Sequence, residues 1–409
     1  MTNSSTGTPV SQRVRFGLAN LSIFLDEVVF FALAPLLPIY ASAFALSKVE
    51  TGWLFASYPL LSFVAAIPGS LLCGRIGPRW TLVIANVVFA LATLGFGVAD
   101  GATALWTARA MQGLASGFTV IASMMIISSV GSSKRKGRVL GIAFALQGLS
   151  AIGGPALGGF VVPHLGATVS FAMVASVAAT SAIVLALTGS DNFERTPTRK
   201  MLSAFAADAK ALATSTTGRY PVLLFIGIGV SAGCVHTLAT LRLDALGVTT
   251  AQIGLLFMFG GILAIPIVVG IGLLCDRIGP IRTTRWWLIA EVLLCLALAT
   301  PFGLWLIVPA LLMLLVQGRS GGTIAYVQAI GTERARRIAV GFGFMVMAWA
   351  AGSTVGSLLA GAIAQVAGDS AAYIITAVLL IALVGPGASA DLRARRAGAS
   401  TTKQTDTPW

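Results

Sequence analysis

The chain has 409 residues, of which 56% are hydrophobic and only 10% charged, and its mean hydropathy is +0.90. A soluble domain carries roughly 45–50% apolar and about 25% charged residues, so this composition excludes a soluble globular protein and describes one that crosses a membrane many times. The net charge of +13 does not indicate a nucleic-acid partner, because the bases sit in short loops between apolar runs rather than along one face.

Residues 1–13 are polar and rich in Ser and Thr, and are expected to form an N-terminal tail without fixed structure. A bilayer core about 30 Å thick takes roughly 20 helical residues to cross. Six runs of that kind precede residue 190, near 16–44, 50–73, 80–99, 103–130, 138–163 and 168–188. The first contains Asp26, Glu27, Pro35 and Pro38 and is far longer than the roughly 7–15 residues of a signal-peptide core, so it reads as a span. Residues 189–218 carry Asp191, Glu194, Arg195, Arg199, Lys200, Asp208 and Lys210 and read as a linker, with an amphipathic helix expected near 201–213 on the membrane surface. Six more runs follow, near 219–243, 251–274, 284–301, 304–330, 338–366 and 371–388, and then a second tail over 389–409. The expectation is an all-α membrane protein with twelve transmembrane helices in two six-helix bundles, 14–188 and 219–388.

The bundles are related by a repeat. Leu71–Arg79 reads LLCGRIGPR and Leu273–Ile281 reads LLCDRIGPI, seven identities in nine positions at a displacement of 202. A long-period repeat in a strongly apolar chain is the mark of a transporter whose halves pack as a pair around a shared cavity. With both termini on one side, that side collects 23 of the 27 Lys and Arg residues, leaving Lys48, Arg109, Arg242 and Arg319. Both tails are therefore expected in the cytoplasm. The four cysteines have no metal-type spacing and read as small packing residues. Trp106, Trp286, Trp287 and Trp305 fall near span ends and read as interfacial anchors.

Four elements carry a resemblance to a known family. Gly272–Gly279, GLLCDRIG, fits G-x-x-x-D-R-x-G; its earlier twin has Gly74 in place of the acid. Arg109-Ala-Met-Gln112-Gly113 opens the fourth run. The fifth holds Gly141, Ser150 and Gly154-Pro155-Ala-Leu-Gly158-Gly159, and the first places Asp26 and Glu27 ahead of Pro35-x-x-Pro38. Together these resemble the major facilitator superfamily, and within it the twelve-span drug:proton antiporters that include relatives of the vesicular amine transporters.

The resemblance implies a proton site at Asp26, Glu27 and Arg109, a gate at Arg75, Asp276, Arg277 and Gly279, and an antiporter element at Gly141, Gly154, Pro155, Gly158 and Gly159. An ionisable group inside a span costs roughly 2.5–3.5 kcal/mol on insertion scales and is by default functional. Adjacent helical residues point about 100° apart, so Asp26 and Glu27 cannot serve one spot. Depth counting allows Asp26 and Arg109 to meet near the midplane, and allows a structural ion pair between Glu291 and Arg319. Phe30, Tyr58, Gln112, Gln147, His236 and Tyr326 are candidate substrate-binding residues.

The function expected is proton-coupled efflux of a small amphipathic compound by alternating access, with uptake of a metabolite as the alternative and a receptor or scaffold as a different class. The chain presents no nucleophile, metal cluster or cofactor loop, so an enzyme is not expected, nor is a cofactor. The expected partners are a small molecule, protons and the lipid bilayer, with the protein a monomer in the cell membrane.

Overall fold

Helices account for nearly every residue placed in the computed structural model, which describes residues 9–129, 143, 145–188, 203, 206–207, 216–301, 303–330 and 338–402. In chain order they are α1 Pro9–Ala43, α2 Lys48–Ile76, α3 Pro78–Gly97, α4 Ala102–Ser129, α5 Ala145–Leu165, α6 Ala167–Leu187, α7 Thr216–Ala245, α8 Thr250–Ile278, α9 Pro280–Ala299, α10 Leu304–Ile330, α11 Ile338–Ala367 and α12 Asp369–Thr402. Ten of the described helices are long and apolar enough to cross a membrane. The other two are α10, whose Leu304–Val316 stretch is a shorter apolar segment, and α9, which places Arg282, Arg285 and Glu291 within twenty residues.

The repeat seen in the loops governs the whole architecture. Ala43 and Ala245 end one equivalent pair of helices, Pro78 and Pro280 begin a second, and Leu165 and Ala367 end a third, always 202 residues apart. The turns agree in conformation: Gly77 and Gly279 have φ of 89° and 88°, and Gly166 and Gly368 have 79° and 84°. Only glycine adopts such values without strain. Ala45, at φ 49°, takes the place that Gly247 holds in the second half. Capping boxes recur in register too, Ser47 with Glu50 ahead of α2 and Thr249 with Gln252 ahead of α8.

Small residues set the helix crossings, as expected in lipid, where close backbone approach replaces hydrophobic driving force. In the first half α2 crosses α4 at Gly113, where an added Cβ would lie 2.1 Å from the Tyr58 carbonyl oxygen, and α5 crosses α1 at Gly154 and Gly158. In the second half α7 and α11 meet through Gly229, Gly233, Gly352 and Gly356. The halves touch each other through two crossings related by the same register, Gly52 of α2 on Gly361 of α11 and Gly159 of α5 on Gly254 of α8. The first is reinforced by the Lys48–Asp369 ion pair at 2.5 Å and by the Lys48 N–H donating to Gln365 Oε1 at 3.1 Å. Farther along α8, Ile265, Pro266, Val269 and Gly270 are exposed on one face, and a Cβ on Gly270 or Gly272 would meet nothing, while Ala264 and Cys275 stay buried on the other.

Several arginines hold helix ends rather than loops. Arg79 donates from Nε and Nη2 to the carbonyls of Leu185 and Ala186 at 2.8 and 2.6 Å, and Arg15 reaches Thr188, so two side chains close the last turn of α6. Arg242 does the same for α9 through the carbonyls of Leu298 and Thr300. A cation at a helix C-terminus satisfies orphan carbonyls and meets the negative end of the dipole.

Some sequence expectations are revised. Helix α1 begins at Pro9, inside the stretch read as a tail, and α12 continues to Thr402. Trp287 is 2% exposed and packed in the core, not an interfacial anchor, because its neighbour Trp286 takes the outer face of the same turn at 67%. Apart from residues 203, 206 and 207, the expected surface helix lies outside the described residues. The four cysteines are buried with free thiols.

Candidate functional site

The first half concentrates its buried polar groups where α1, α2 and α4 cross. Pro59 has no N–H to donate back along α2, which loosens that helix beside Tyr58. Small residues of α4, Gly113, Ala115, Ser116 and Gly117, let α2 approach until side chains interlock.

Asp26 of α1 is 2% exposed. The Tyr58 hydroxyl oxygen lies 2.7 Å from its Oδ1 and the Ser116 hydroxyl oxygen 2.6 Å from its Oδ2, while the two hydroxyl oxygens lie 2.8 Å from each other. Arg109 of α4, 0% exposed, sits over the face of the tyrosine ring. Its guanidinium carbon is 4.6 Å from the centre of Tyr58 and 5.5 Å from that of Phe30. Its Nη atoms donate to the carbonyls of Val29 and Phe30, both at 3.4 Å, and to Gln112 Oε1 at 3.1 Å, and Nε has no partner.

Asp26 and Arg109 thus share one site, as depth counting suggested, but do not form an ion pair. Tyr58 meets both, its ring face stabilising the cation through its quadrupole and its hydroxyl meeting the carboxyl group. Gln112 is fully buried, with Oε1 on Arg109 and Nε2 donating to Thr93 at 3.3 Å, so both of its polar ends are engaged behind the arginine.

Glu27 points elsewhere, as its helical phase requires. It faces α5, where the Ser150 hydroxyl lies 2.5 Å from its Oε2 and 2.6 Å from the Gln147 carbonyl oxygen. Gln147 is buried with an unpartnered Nε2. The antiporter element lies on the same helix. Past Pro155, α5 makes one wide turn over Leu157–Val161, with Val162 N–H bonding back to Leu157, and this turn presents Gly158 to α1 and Gly159 to α8. Wide turns of this kind gather at functional sites.

Above Asp26 an aromatic cluster joins the two halves. Phe30 contacts Phe31, Phe55, Tyr58 and Trp349, with ring centres 5.1–6.0 Å apart. His236 of α7 is surrounded by Phe30, Phe31, Phe55 and Phe257 at 5.7–6.3 Å, its Nδ1–H donating to the Ala232 carbonyl at 2.7 Å. Sequence reading named Phe30, Tyr58 and His236 but missed Phe55, Phe257, Trp349 and Ser116. Isolated aromatics among apolar spans carry no signal until the two halves are superposed, and a serine among small residues reads as packing.

The remaining candidates are dispersed. Arg75, Asp276 and Arg277 are exposed near the ends of α2 and α8, and Gly279 makes the turn that follows. Asp276 makes no hydrogen bond or ion pair with the described residues. Glu291 is 1% exposed; Ser231 of α7 donates to its Oε1 at 2.5 Å, and Oε2 is unpartnered. Gly141 and the side chains of Arg319 and Tyr326 lie outside the described residues. Among those residues no cluster of His, Cys, Asp and Glu could hold a metal.

Comparison with known proteins agrees with this architecture. A profile described as Major Facilitator Superfamily matches residues 19–356. The multidrug resistance protein MdtG of Salmonella arizonae is 26% identical over 398 residues, covering 92% of this chain and 95% of that protein. The multidrug resistance protein Stp of Mycobacterium tuberculosis is 30% identical over 151 residues, 37% of this chain, and the match spans only 28% of Stp. A probable vesicular acetylcholine transporter-B of Danio rerio is 27% identical over 174 residues, covering 40% of this chain and 35% of that protein. Among solved structures, a bacterial homologue of the human lysosomal transporter Spinster, in an inward-facing and unoccupied conformation, aligns with TM-score 0.73 at 12% identity, covering 93% of this chain and 97% of that one. A POT-family transporter aligns with TM-score 0.70 at 13% identity, covering 90% and 94%. The protein is a membrane transporter rather than an enzyme, and the chain belongs to the major facilitator superfamily.

Proposed function

We propose that the protein exports a small amphipathic compound in exchange for protons, with Asp26 as the proton carrier. The observation that carries this reading is a carboxyl group sealed in a span with two hydroxyls, a buried arginine over the face of the Tyr58 ring, and an aromatic cluster contributed by both halves directly above. An acid in such a place is costly unless it is used. The aromatic roof of Phe30, Phe55, His236, Phe257 and Trp349 suits a flat, apolar cargo. The relatives named for multidrug resistance point the same way.

In this reading residues 14–188 and 219–388 rock against each other about the two glycine crossings, joined by the linker 189–218, with both termini in the cytoplasm. The halves stay in contact at Gly52/Gly361 and Gly159/Gly254 in this reading while the cavity opens toward the termini. Glu27 would meet cargo beside α5, and Asp276 would find its partner only when that end closes. Each proton crossing the membrane contributes about 2.3 kcal/mol per 100 mV.

The test is flux of a fluorescent amphipathic cation from proteoliposomes of the monomeric protein under an imposed pH gradient. The Asp26→Asn variant is expected to lose gradient-driven flux at least tenfold while retaining exchange of labelled for unlabelled cargo without a gradient. Gradient-driven flux equal to wild type would remove Asp26 from the proton pathway.

A further inference from the structure

Asp26, Tyr58 and Ser116 form a closed ring of three oxygen–oxygen contacts, at 2.7, 2.6 and 2.8 Å. Each contact at that distance needs one hydrogen between its oxygens. Tyrosine and serine bring one hydroxyl hydrogen each, and an ionised carboxylate brings none. Two hydrogens cannot fill three contacts. Among the described residues no other donor reaches the ring: the hydrogen bonds of Asp26, Tyr58 and Ser116 are those named, and Arg109 directs its Nη groups to Val29, Phe30 and Gln112. A carboxylic acid supplies the missing hydrogen, donating through one oxygen and accepting at the other, so that every contact is filled and the hydrogens circulate in one direction.

We propose that Tyr58 and Ser116 are the positioning residues of the proton site, closing a hydrogen-bonded ring that holds Asp26 as the neutral acid in this conformation. The proposal rests on the reading of Asp26 as proton carrier and adds what the proton does. When the carboxyl O–H gives its proton to water entering from the cavity, the two hydroxyl hydrogens both turn to the carboxylate oxygens. The Tyr58–Ser116 contact then has no hydrogen, and the two oxygens move apart. That contact ties α2 to α4 within one turn of their tightest crossing, Tyr58 on Gly113. Helix α2 is also the helix whose far end holds α11 through Gly52 and Lys48. Loss of one proton is thereby passed to the contact between the halves.

The charged and titratable groups around the ring are Arg109 on α4, over the face of the Tyr58 ring, Glu27 on α1, turned toward α5, and His236 on α7, beyond Phe30. None of them bonds to the three ring members, which leaves the ring as the element that responds to the proton.

The experiment combines infrared spectra with a mutant cycle on the full-length protein in proteoliposomes. In wild type minus Asp26→Asn, a carbonyl stretch of a hydrogen-bonded carboxylic acid is expected. In Ser116→Ala and in Tyr58→Phe that band should move toward a less hydrogen-bonded acid. The pH midpoint of gradient-driven flux should move by about one unit in each single variant, the equivalent of one hydrogen bond. The Tyr58→Phe/Ser116→Ala double variant should move no further, since either deletion already opens the ring. Additive midpoint shifts, unmoved midpoints, or absence of the acid band would overturn the ring. Should Tyr58→Phe not fold, the band and midpoint of Ser116→Ala decide alone. Full gradient-driven flux in Asp26→Asn would instead overturn the proton site itself, so the two failures are told apart.

Discussion

The halves of this chain follow one register and place different chemistry at the same positions. Asp26, Tyr58 and Arg109 in the first correspond, 202 residues on, to Ile228, Gly260 and Leu311 in the second. Where Tyr58 of α2 packs on Gly113 of α4, Gly260 of α8 packs on Leu315 of α10: the same crossing, with the large and small partners exchanged. Conversely the second half joins α7 to α11 through four glycines, whereas α5 meets α1 with glycines on one side only. A duplicated scaffold fixes helix order and turn conformation but not the contents of the crossings. Here the first half gathers a buried acid, a tyrosine and an arginine at crossings where the second half has only Ile228, Gly260 and Leu311.

That contrast can be broken, and the largest effect is expected from moving the acid. Ile228→Asp puts a carboxylate where the second half has no Tyr58 or Arg109 equivalent, at roughly 2.5–3.5 kcal/mol on insertion scales. The yield of folded protein should fall sharply without any gain of proton coupling, measured by detergent size-exclusion and gradient-driven flux. Filling the glycine crossing comes next. In Gly356→Leu the new Cβ would start 2.2 Å from the Val230 carbonyl oxygen, and overpacking of this kind costs about 1–3 kcal/mol. A lower Tm with an unaltered pH profile of flux is expected.

Smaller effects sharpen the comparison at helix ends. Arg79 has Ile281 as its twin, so Arg79→Ile makes the halves alike and removes the cap on α6; charged hydrogen bonds of this sort contribute about 1.5–3 kcal/mol at most, and less at a half-wet helix end. Tm should drop by a few degrees, and Arg242→Ala should do the same through α9. The smallest change is expected from Lys48→Gln. The Lys48–Asp369 side chains are 40% and 24% exposed, and pairs of that exposure contribute under about 1 kcal/mol. Its effect on the outward contact should vanish in high salt, whereas that of Gly52→Leu should not.

The helix count, the repeat and its displacement were legible because they rest on long apolar runs and on glycine turns, which leave strong local marks. Asp26 and Arg109 were legible as well, since any charge in a span stands out against Leu and Ala. What could not be read was the geometry between distant segments. Ser116 and Ser150 look like packing residues until the carboxylates of Asp26 and Glu27 are seen beside them. Arg79 looks like a topology signal, and Arg242 like a stray base, until they reach carbonyls 106 and 56 residues away. The depth count placed Asp26 and Arg109 at one level but had no way to show that Tyr58 contacts both, one at its hydroxyl and the other at its ring face.

Where the halves meet at Gly52/Gly361 and Gly159/Gly254, bare backbone faces bare backbone. At these two contacts no bulky rotamers interlock, so parting and closing them would spare the roughly 0.5–2 kcal/mol that ordering one larger side chain costs.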